Sequence, residues 1–144
     1  MTLHLVRNGR PLVDRTRPAA EWELDPAGFD DVWALRERLP SRASWFCAPE
    51  PRAQETAQLL TDSDVGIIDE LREVEGEADA ELLARLLPAV RRILDVHGDD
   101  DVVLVGHGTA WALLVAELTG QEPDLDRWRS LGMPDVITLP SRLR

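Results

Sequence analysis

The fold of this chain is decided by the stretch LHLVRNGR, residues 3–10. Its apolar first half predicts a buried strand from Leu3 to Val6. That strand runs directly into an arginine, a small polar residue and a glycine, Arg7, Asn8 and Gly9. Open α/β sheets bind ligands just beyond the carboxyl ends of their strands. The loop after residue 6 is therefore where a functional site is first expected.

Polar residues follow three other short apolar runs in the same manner. Arg52 follows residues 44–47, Glu73 follows residues 65–68, and His107 follows residues 102–105. The carboxyl ends of parallel strands meet at one edge of a sheet, so these side chains are expected to converge with Arg7.

In this order, the segments resemble the motifs of the histidine phosphatase (phosphoglycerate mutase-like) superfamily. Residues 47–57, Cys-Ala-Pro-Glu-Pro-Arg-Ala-Gln-Glu-Thr-Ala, are similar to its Ser-Ser-Pro-x-x-Arg-Ala-x-x-Thr-Ala segment. Residues 71–73 are similar to its acid-bearing Leu-x-Glu, and residues 103–108 to its second histidine motif. The opening motif departs from the family, which has Arg-His-Gly where this chain has Arg7, Asn8 and Gly9.

The resemblance implies a role for each matching residue. Arg7 and Arg52 would clamp a phosphate, because a guanidinium fork matches two phosphate oxygens and keeps its charge. His107 would bind the phosphoryl group and donate a hydrogen bond in the transition state. Glu73 would be the general acid or base, a role that needs a carboxyl holding its proton near working pH, as partial burial can arrange.

Asn8 stands where the family has the histidine that attacks phosphorus. An amide nitrogen neither attacks phosphorus well nor carries a stable phosphoryl group, because its lone pair is delocalised into the carbonyl. Losing a nucleophile typically costs ~10⁴ to 10⁶ in rate. The Asn8 side-chain NH₂ can still make the hydrogen bond expected of an imidazole N–H, so Asn8 is also predicted to help bind phosphate.

Three hypotheses about function follow, and the sequence leaves all three open. The first is a phosphatase-fold protein that binds phosphate or another anion, with phosphomonoesterase activity absent or very weak. The second is an inactivated variant of an active phosphomonoesterase or phosphoglycerate mutase-like enzyme. The third is an enzyme repurposed for acid/base chemistry, such as dehydration or isomerisation, in which Glu73 and His107 move protons on a carboxylate or phosphate substrate.

Strands alternating with helical patterns predict a three-layer α/β fold with a mostly parallel sheet flanked by helices, in one domain spanning residues 1–144. A helix is expected after Asp25, with residues 29, 32, 33 and 39 on one face, and another from Pro51. Pro88 is expected to kink or split the long helix that starts near Asp79. Only residues 74–79 separate Glu73 from that helix, so no cap insertion is expected over the pocket.

Composition narrows the partners further. A formal charge of -11 disfavours nucleic acids and anionic membranes, so arginines 7, 10 and 52 would form a local positive focus for a small anionic ligand. Trp22, in the loop over the site, is the tryptophan expected to line the pocket. Cys47 is the single cysteine and is expected to be buried and inert. No metal or other cofactor is predicted, and a cytoplasmic monomer or homodimer is expected.

Overall fold

A computed structural model describes residues 2–140, apart from the side chains of residues 128 and 129. Its sheet has the order β3-β2-β4-β1-β5. The strands are β1 Thr2–Arg7, β2 Ser44–Cys47, β3 Val65–Ile67, β4 Val102–Gly106 and β5 Asp135–Pro140. The first four pair in parallel, and β5 runs antiparallel to β1 at one edge. This confirms the mostly parallel sheet predicted from the sequence.

Helices cover both faces of the sheet. They are α1 Phe29–Ala34, α2 Pro51–Leu60, α3 Asp79–Val96, α4 Gly108–Thr119 and α5 Leu125–Ser130. Successive residues of a strand point to opposite faces, so β1 contributes Leu5 to the apolar cluster under α3 and α4 and Val6 to the cluster under α1 and α2. Two cores around one sheet give the three layers.

The strand register brings the polar loops together. In β1 and β4, Arg7 is paired with Gly106, and in β2 and β4, Cys47 is paired with Val105. The residues that follow these strands therefore leave the sheet at one edge. His107 and Asn8 lie at the centre of that edge, and α2 begins beside them.

Two local predictions differ from the structure. Helix α3 is not split at Pro88 but runs through it, with 18 residues in all. The packing of its buried face on the sheet outweighs the backbone hydrogen bond that proline removes. Asp25 does cap a helical segment, accepting from the N–H of Ala27 at 3.0 Å, but that segment is a 3₁₀ turn ahead of a short α1. Trp33 of α1 is 54% exposed and lies against the guanidinium of Arg36 rather than in the core.

Gly120 and Cys47 each have a clear structural role, and for Cys47 this is the burial predicted above. Gly120 ends α4 in the left-handed conformation with φ of 69°, as a C-cap glycine does. Cys47 is buried in β2, and that burial raises the pKa of its thiol to about 11. Within residues 2–140, no helix is both long enough and apolar enough to cross a membrane.

Candidate anion site

All five residues singled out in the sequence line one pocket of about 220 Å³ at the carboxyl edge of the sheet. They are Arg7, Asn8, Arg52, Glu73 and His107. Trp22 lines the same pocket, as predicted for the loop that crosses it. The expectation for Arg10 needs correction, because Arg10 does not line this pocket but a neighbouring groove beside Asp31 and Ala34 of α1.

Arg7 reaches the pocket from the end of β1. Its Nη1 donates a hydrogen bond to the backbone oxygen of Leu131 at 2.8 Å, which orients the guanidinium. A side chain at Gly108 would put a Cβ 3.0 Å from Nε of Arg7, so glycine there lets the guanidinium lie against the start of α4. A helix N-terminus adds free N–H groups and a favourable dipole, and the two features together suit an anion.

Arg52 lies in the first turn of α2, which begins at Pro51 as predicted. It is only 8% exposed. Its Nη1 donates to the backbone oxygen of Ala19 at 2.8 Å, while its Nη2 lies 3.8 Å from Oε2 of Glu73 and 3.4 Å from Nδ1 of His107. One side of the guanidinium is thus fixed by the loop over the site, and the other faces the pocket.

The imidazole of His107 lies between two carboxylates. Its Nε2 is 2.9 Å from Oε1 of Glu50, and its Nδ1 is 3.1 Å from Oε2 of Glu73. Burial alone would lower the pKa of His107, but hydrogen bonds and charge from the two glutamates outweigh burial and raise it. With an acceptor at each nitrogen, the favoured form of the ring is the imidazolium, which donates from both.

Asn8 occupies the remaining side of the His107 ring. Its Nδ2 lies 3.3 Å from Nδ1 of His107, and its Oδ1 is buried without a hydrogen-bond partner among the described residues. The two amide atoms are distinguished only by their hydrogen bonds. As placed, Nδ2 of Asn8 and Nδ1–H of the imidazolium are two donors facing each other. If the amide atoms are exchanged, Oδ1 accepts a hydrogen bond from Nδ1–H instead. An asparagine is therefore compatible with a charged His107.

Glu73 differs from its predicted state. A raised pKa was expected from partial burial, yet the hydrogen bond from His107 is the largest influence and outweighs burial, so the pKa is lowered. The charges of His107 and Arg52 act in the same direction. The two neighbouring cations therefore favour the ionised form of Glu73.

Two residues of the site were given no role by the sequence reasoning. Glu50 accepts from His107 and also from the backbone N–H of Glu73, at 2.8 Å to its Oε2. Thr56 accepts from the backbone N–H of Gly9 at 3.1 Å. The available signal for Glu50 was its position directly before Pro51, which starts α2. Helices favour Ser, Thr, Asp or Asn at that position, so a glutamate there is unusual. For Thr56 the signal was its match to the threonine of the Arg-Ala-x-x-Thr-Ala segment, to which no role was assigned.

With the geometry in place, comparisons with known proteins give a consistent result. The family model of the histidine phosphatase superfamily (branch 1) matches residues 69–139. No curated protein shows a significant sequence match.

Solved structures resemble the chain over nearly its full length. A mycobacterial glucosyl-3-phosphoglycerate phosphatase complexed with VO₃ has a TM-score of 0.76 at 22% identity, covering 95% of this chain and 91% of its own. A histidine-to-alanine mutant of Entamoeba histolytica phosphoserine phosphatase, in complex with phosphoserine, has a TM-score of 0.70 at 18% identity, covering 95% and 89%. The same organism's phosphoserine phosphatase in complex with 3-phosphoglyceric acid has a TM-score of 0.69 at 20% identity, and the match covers 95% of this chain and 89% of its own.

The family match, the fold and the order of the motifs agree. Residues 69–139 match the histidine phosphatase superfamily, and the described chain has the fold of the solved phosphatases to which it is similar. That match does not include the opening Arg7-Asn8-Gly9 segment, so the place of Asn8 at the family's histidine position remains a prediction from the motif.

Proposed function

We propose that this protein binds a small phosphorylated or carboxylate molecule in the pocket of Arg7 and Arg52 without forming a phosphohistidine. The observation that carries the proposal is the placement of Asn8, whose amide lies 3.3 Å from His107 and lines the same pocket as both arginines. The cationic groups needed to hold an anion are in place. The residue that would have to attack phosphorus is not a nucleophile.

The charge distribution supports an anionic ligand. The chain carries a formal charge of -11, yet Arg7, Arg52 and an imidazolium at His107 line one small pocket. Such a local positive focus within an acidic protein favours a small anion over a polyanion, which the rest of the surface repels. The mutant phosphoserine phosphatase offers a parallel, because that protein holds phosphoserine with one of its histidines replaced.

The test is a paired assay of the wild-type chain and Asn8→His on a panel of phosphomonoesters. We expect the wild type to bind inorganic phosphate with negligible turnover, and Asn8→His to gain at least ~10³-fold in kcat, because a nucleophile rejoins its partners. Asn8→Ala is the control, since it changes the same position without supplying a nucleophile. Comparable turnover by wild type and Asn8→His would overturn the proposal.

A second candidate is favoured by one specific feature of the site. The two carboxylates at 2.9 Å and 3.1 Å from the nitrogens of His107 form a continuous path for protons. Such an array suits dehydration or isomerisation of a bound acid. Conversion of a non-phosphorylated carboxylic acid by the wild type, with an inert Asn8→His variant, would select this candidate instead.

A further inference from the structure

Glu50 is a buried acid that joins two parts of the pocket. It is the residue before α2 and is only 5% exposed. Its Oε1 lies 2.9 Å from Nε2 of His107, and its Oε2 accepts from the backbone N–H of Glu73 at 2.8 Å. A single carboxylate therefore holds both the histidine that follows β4 and the loop that carries Glu73.

Burying the Glu50 carboxylate at this position is by itself unfavourable for folding. Burial of a charge is unfavourable unless a partner charge and hydrogen bonds compensate it. Helix α2 does not need this side chain as a cap, because the Glu50 carboxylate makes no capping hydrogen bond. An apolar residue would avoid burying a charge but would leave Nε2 of His107 and the N–H of Glu73 without an acceptor, so the benefit of Glu50 lies in what it does to these two partners.

We propose that Glu50 is a positioning residue of the anion pocket: its two oxygens hold the ring of His107 and the backbone of Glu73 in one arrangement, with Nδ1–H of His107 directed at the bound anion. This inference rests on the anion site proposed above. It makes His107 a third cationic donor beside the two arginines, and it makes Glu50 the group that keeps His107 charged.

The protonation state of His107 decides whether it attracts or repels an anion. A neutral ring that donates Nε2–H to Glu50 would face the pocket with a lone pair on Nδ1, which repels a phosphate oxygen. An imidazolium presents Nδ1–H, a charge-assisted donor. Hydrogen bonds from His107 and from the backbone of Glu73 outweigh burial and hold the pKa of Glu50 below its usual range, so its negative charge is available to stabilise the imidazolium.

The charged groups around His107 are few and act in opposite directions. Glu50 before α2 and Glu73 after β3 favour the imidazolium, whereas Arg52 of α2, with Nη2 at 3.4 Å, opposes it. Arg7 at the end of β1 lines the same pocket and adds a further positive charge. A bound anion displaces or outcompetes Glu73, which leaves Glu50 as the permanent counter-charge of the ring.

The experiment measures sulfate binding by calorimetry to the wild type and to Glu50→Gln, at about pH 8 and about pH 5.5. Sulfate is chosen because its charge is constant over this range, so any pH effect belongs to the protein. Glu55→Gln is the matched control: Glu55 also lies in α2, and its Oε1 accepts a backbone hydrogen bond, from Leu24 at 3.0 Å, away from His107.

At about pH 8 we expect Glu50→Gln to bind sulfate about tenfold more weakly than the wild type, because its His107 is neutral. At about pH 5.5 the difference should disappear or reverse, since the ring is then protonated in both proteins. Glu55→Gln should match the wild type at each pH. Equal affinity of Glu50→Gln and wild type at about pH 8, or an equal loss at both values, would overturn the positioning role.

An NMR titration of the ligand-free wild type separates this inference from the proposed function. The chain has three histidines, so the ring signals of His107 are assigned by comparison with His4→Gln and His97→Gln. We expect the midpoint of the His107 ring titration to lie above its ordinary value of 6.5. A midpoint at or below that value would overturn the inference even if anions bind. A raised midpoint without any sulfate or phosphate binding would instead reject the proposed function alone.

Discussion

The hydroxyl of Thr56 accepts a hydrogen bond from the backbone N–H of Gly9 at 3.1 Å and donates one to the backbone oxygen of Arg52 at 2.7 Å. This single side chain joins α2 to the turn that follows β1. Arg7 lies just before that turn, and Arg52 lies in the first turn of α2. The relative position of the two arginines therefore depends on this bridge.

Thr56→Val should destabilise the protein and weaken anion binding together. The substitution keeps the side-chain shape but leaves the buried N–H of Gly9 without its acceptor, at a cost of ~1–3 kcal/mol in the free energy of unfolding. Urea denaturation and phosphate calorimetry measure the two effects. Thr119→Val is the control, because among the residues that the structure describes the Thr119 hydroxyl makes only the corresponding helical bond, to the oxygen of Val115 at 2.7 Å. Identical behaviour of the two variants would mean that the bridge to Gly9 has no special role.

Gly108→Ala should separate stability from binding. The added Cβ would lie 3.0 Å from Nε of Arg7 and push the guanidinium aside, while alanine is a better helix former than glycine by up to ~1 kcal/mol. We expect phosphate affinity to fall several-fold with the unfolding free energy unchanged or higher. Gly28→Ala is the control, since a Cβ there makes only an ordinary contact of 3.6 Å with Arg10. Unaltered affinity in Gly108→Ala would argue against an anion held by Arg7.

Glu73→Gln should tighten anion binding rather than weaken it. In the ligand-free protein the Glu73 carboxylate lies 3.1 Å from His107 and 3.8 Å from Arg52, so it occupies donors that an anion would use. Removing its charge should raise phosphate affinity about tenfold, as expected for a like charge removed at close range. Glu75→Gln, which removes the same charge two residues along, should have little effect. Weaker binding in Glu73→Gln would show that the carboxyl contributes to holding the ligand.

The stability of the protein should depend on pH through the same cluster. The pKa of His107 is raised in the folded state, so its stabilisation is fully present below 6.5 and is lost as the pH rises through the folded value. The pKa values of Glu50 and Glu73 are lowered, so their stabilisation is present above 4.5 and is lost on acidification through the folded values. His4 acts with the opposite sign to His107, because burial lowers its pKa.

Urea denaturation of wild type and His107→Gln between about pH 5 and about pH 9 isolates this contribution. The wild type should lose unfolding free energy on the alkaline side, and the variant should not. A decline of equal size in both proteins would assign the pH dependence to other groups.

The sequence alone was sufficient to predict the strands and their order, because both follow from the pattern of apolar residues. The apolar runs ending at residues 6, 47 and 105 became strands, and their parallel order placed Arg7, Arg52 and His107 at one edge. A split at Pro88 was one of the two expected outcomes and does not occur, because helix propensity is local whereas the packing of α3 on the sheet is not. The exposure of Trp33 could not be predicted from the apolar pattern, because the pattern does not show that its ring lies against Arg36.

The charge state of the site could not be predicted from the sequence, for a physical reason. Whether Glu73 holds its proton depends on the distance to His107, and that distance depends on how Glu50 holds both residues. These are contacts between segments 23 and 57 positions apart in the chain. No motif or periodicity encodes them, so a raised pKa was expected for a carboxyl whose pKa is lowered.

The central claim, that Arg7 and Arg52 together hold one small anion, is tested most directly by titrating inorganic phosphate into the wild type, Arg7→Met, Arg52→Met and Arg10→Met. We predict one site per chain, an affinity about tenfold lower or worse in each of the first two variants, and wild-type affinity in Arg10→Met, whose arginine lines the neighbouring groove. Absence of saturable binding in the wild type, or equal affinity in all four proteins, would contradict the account.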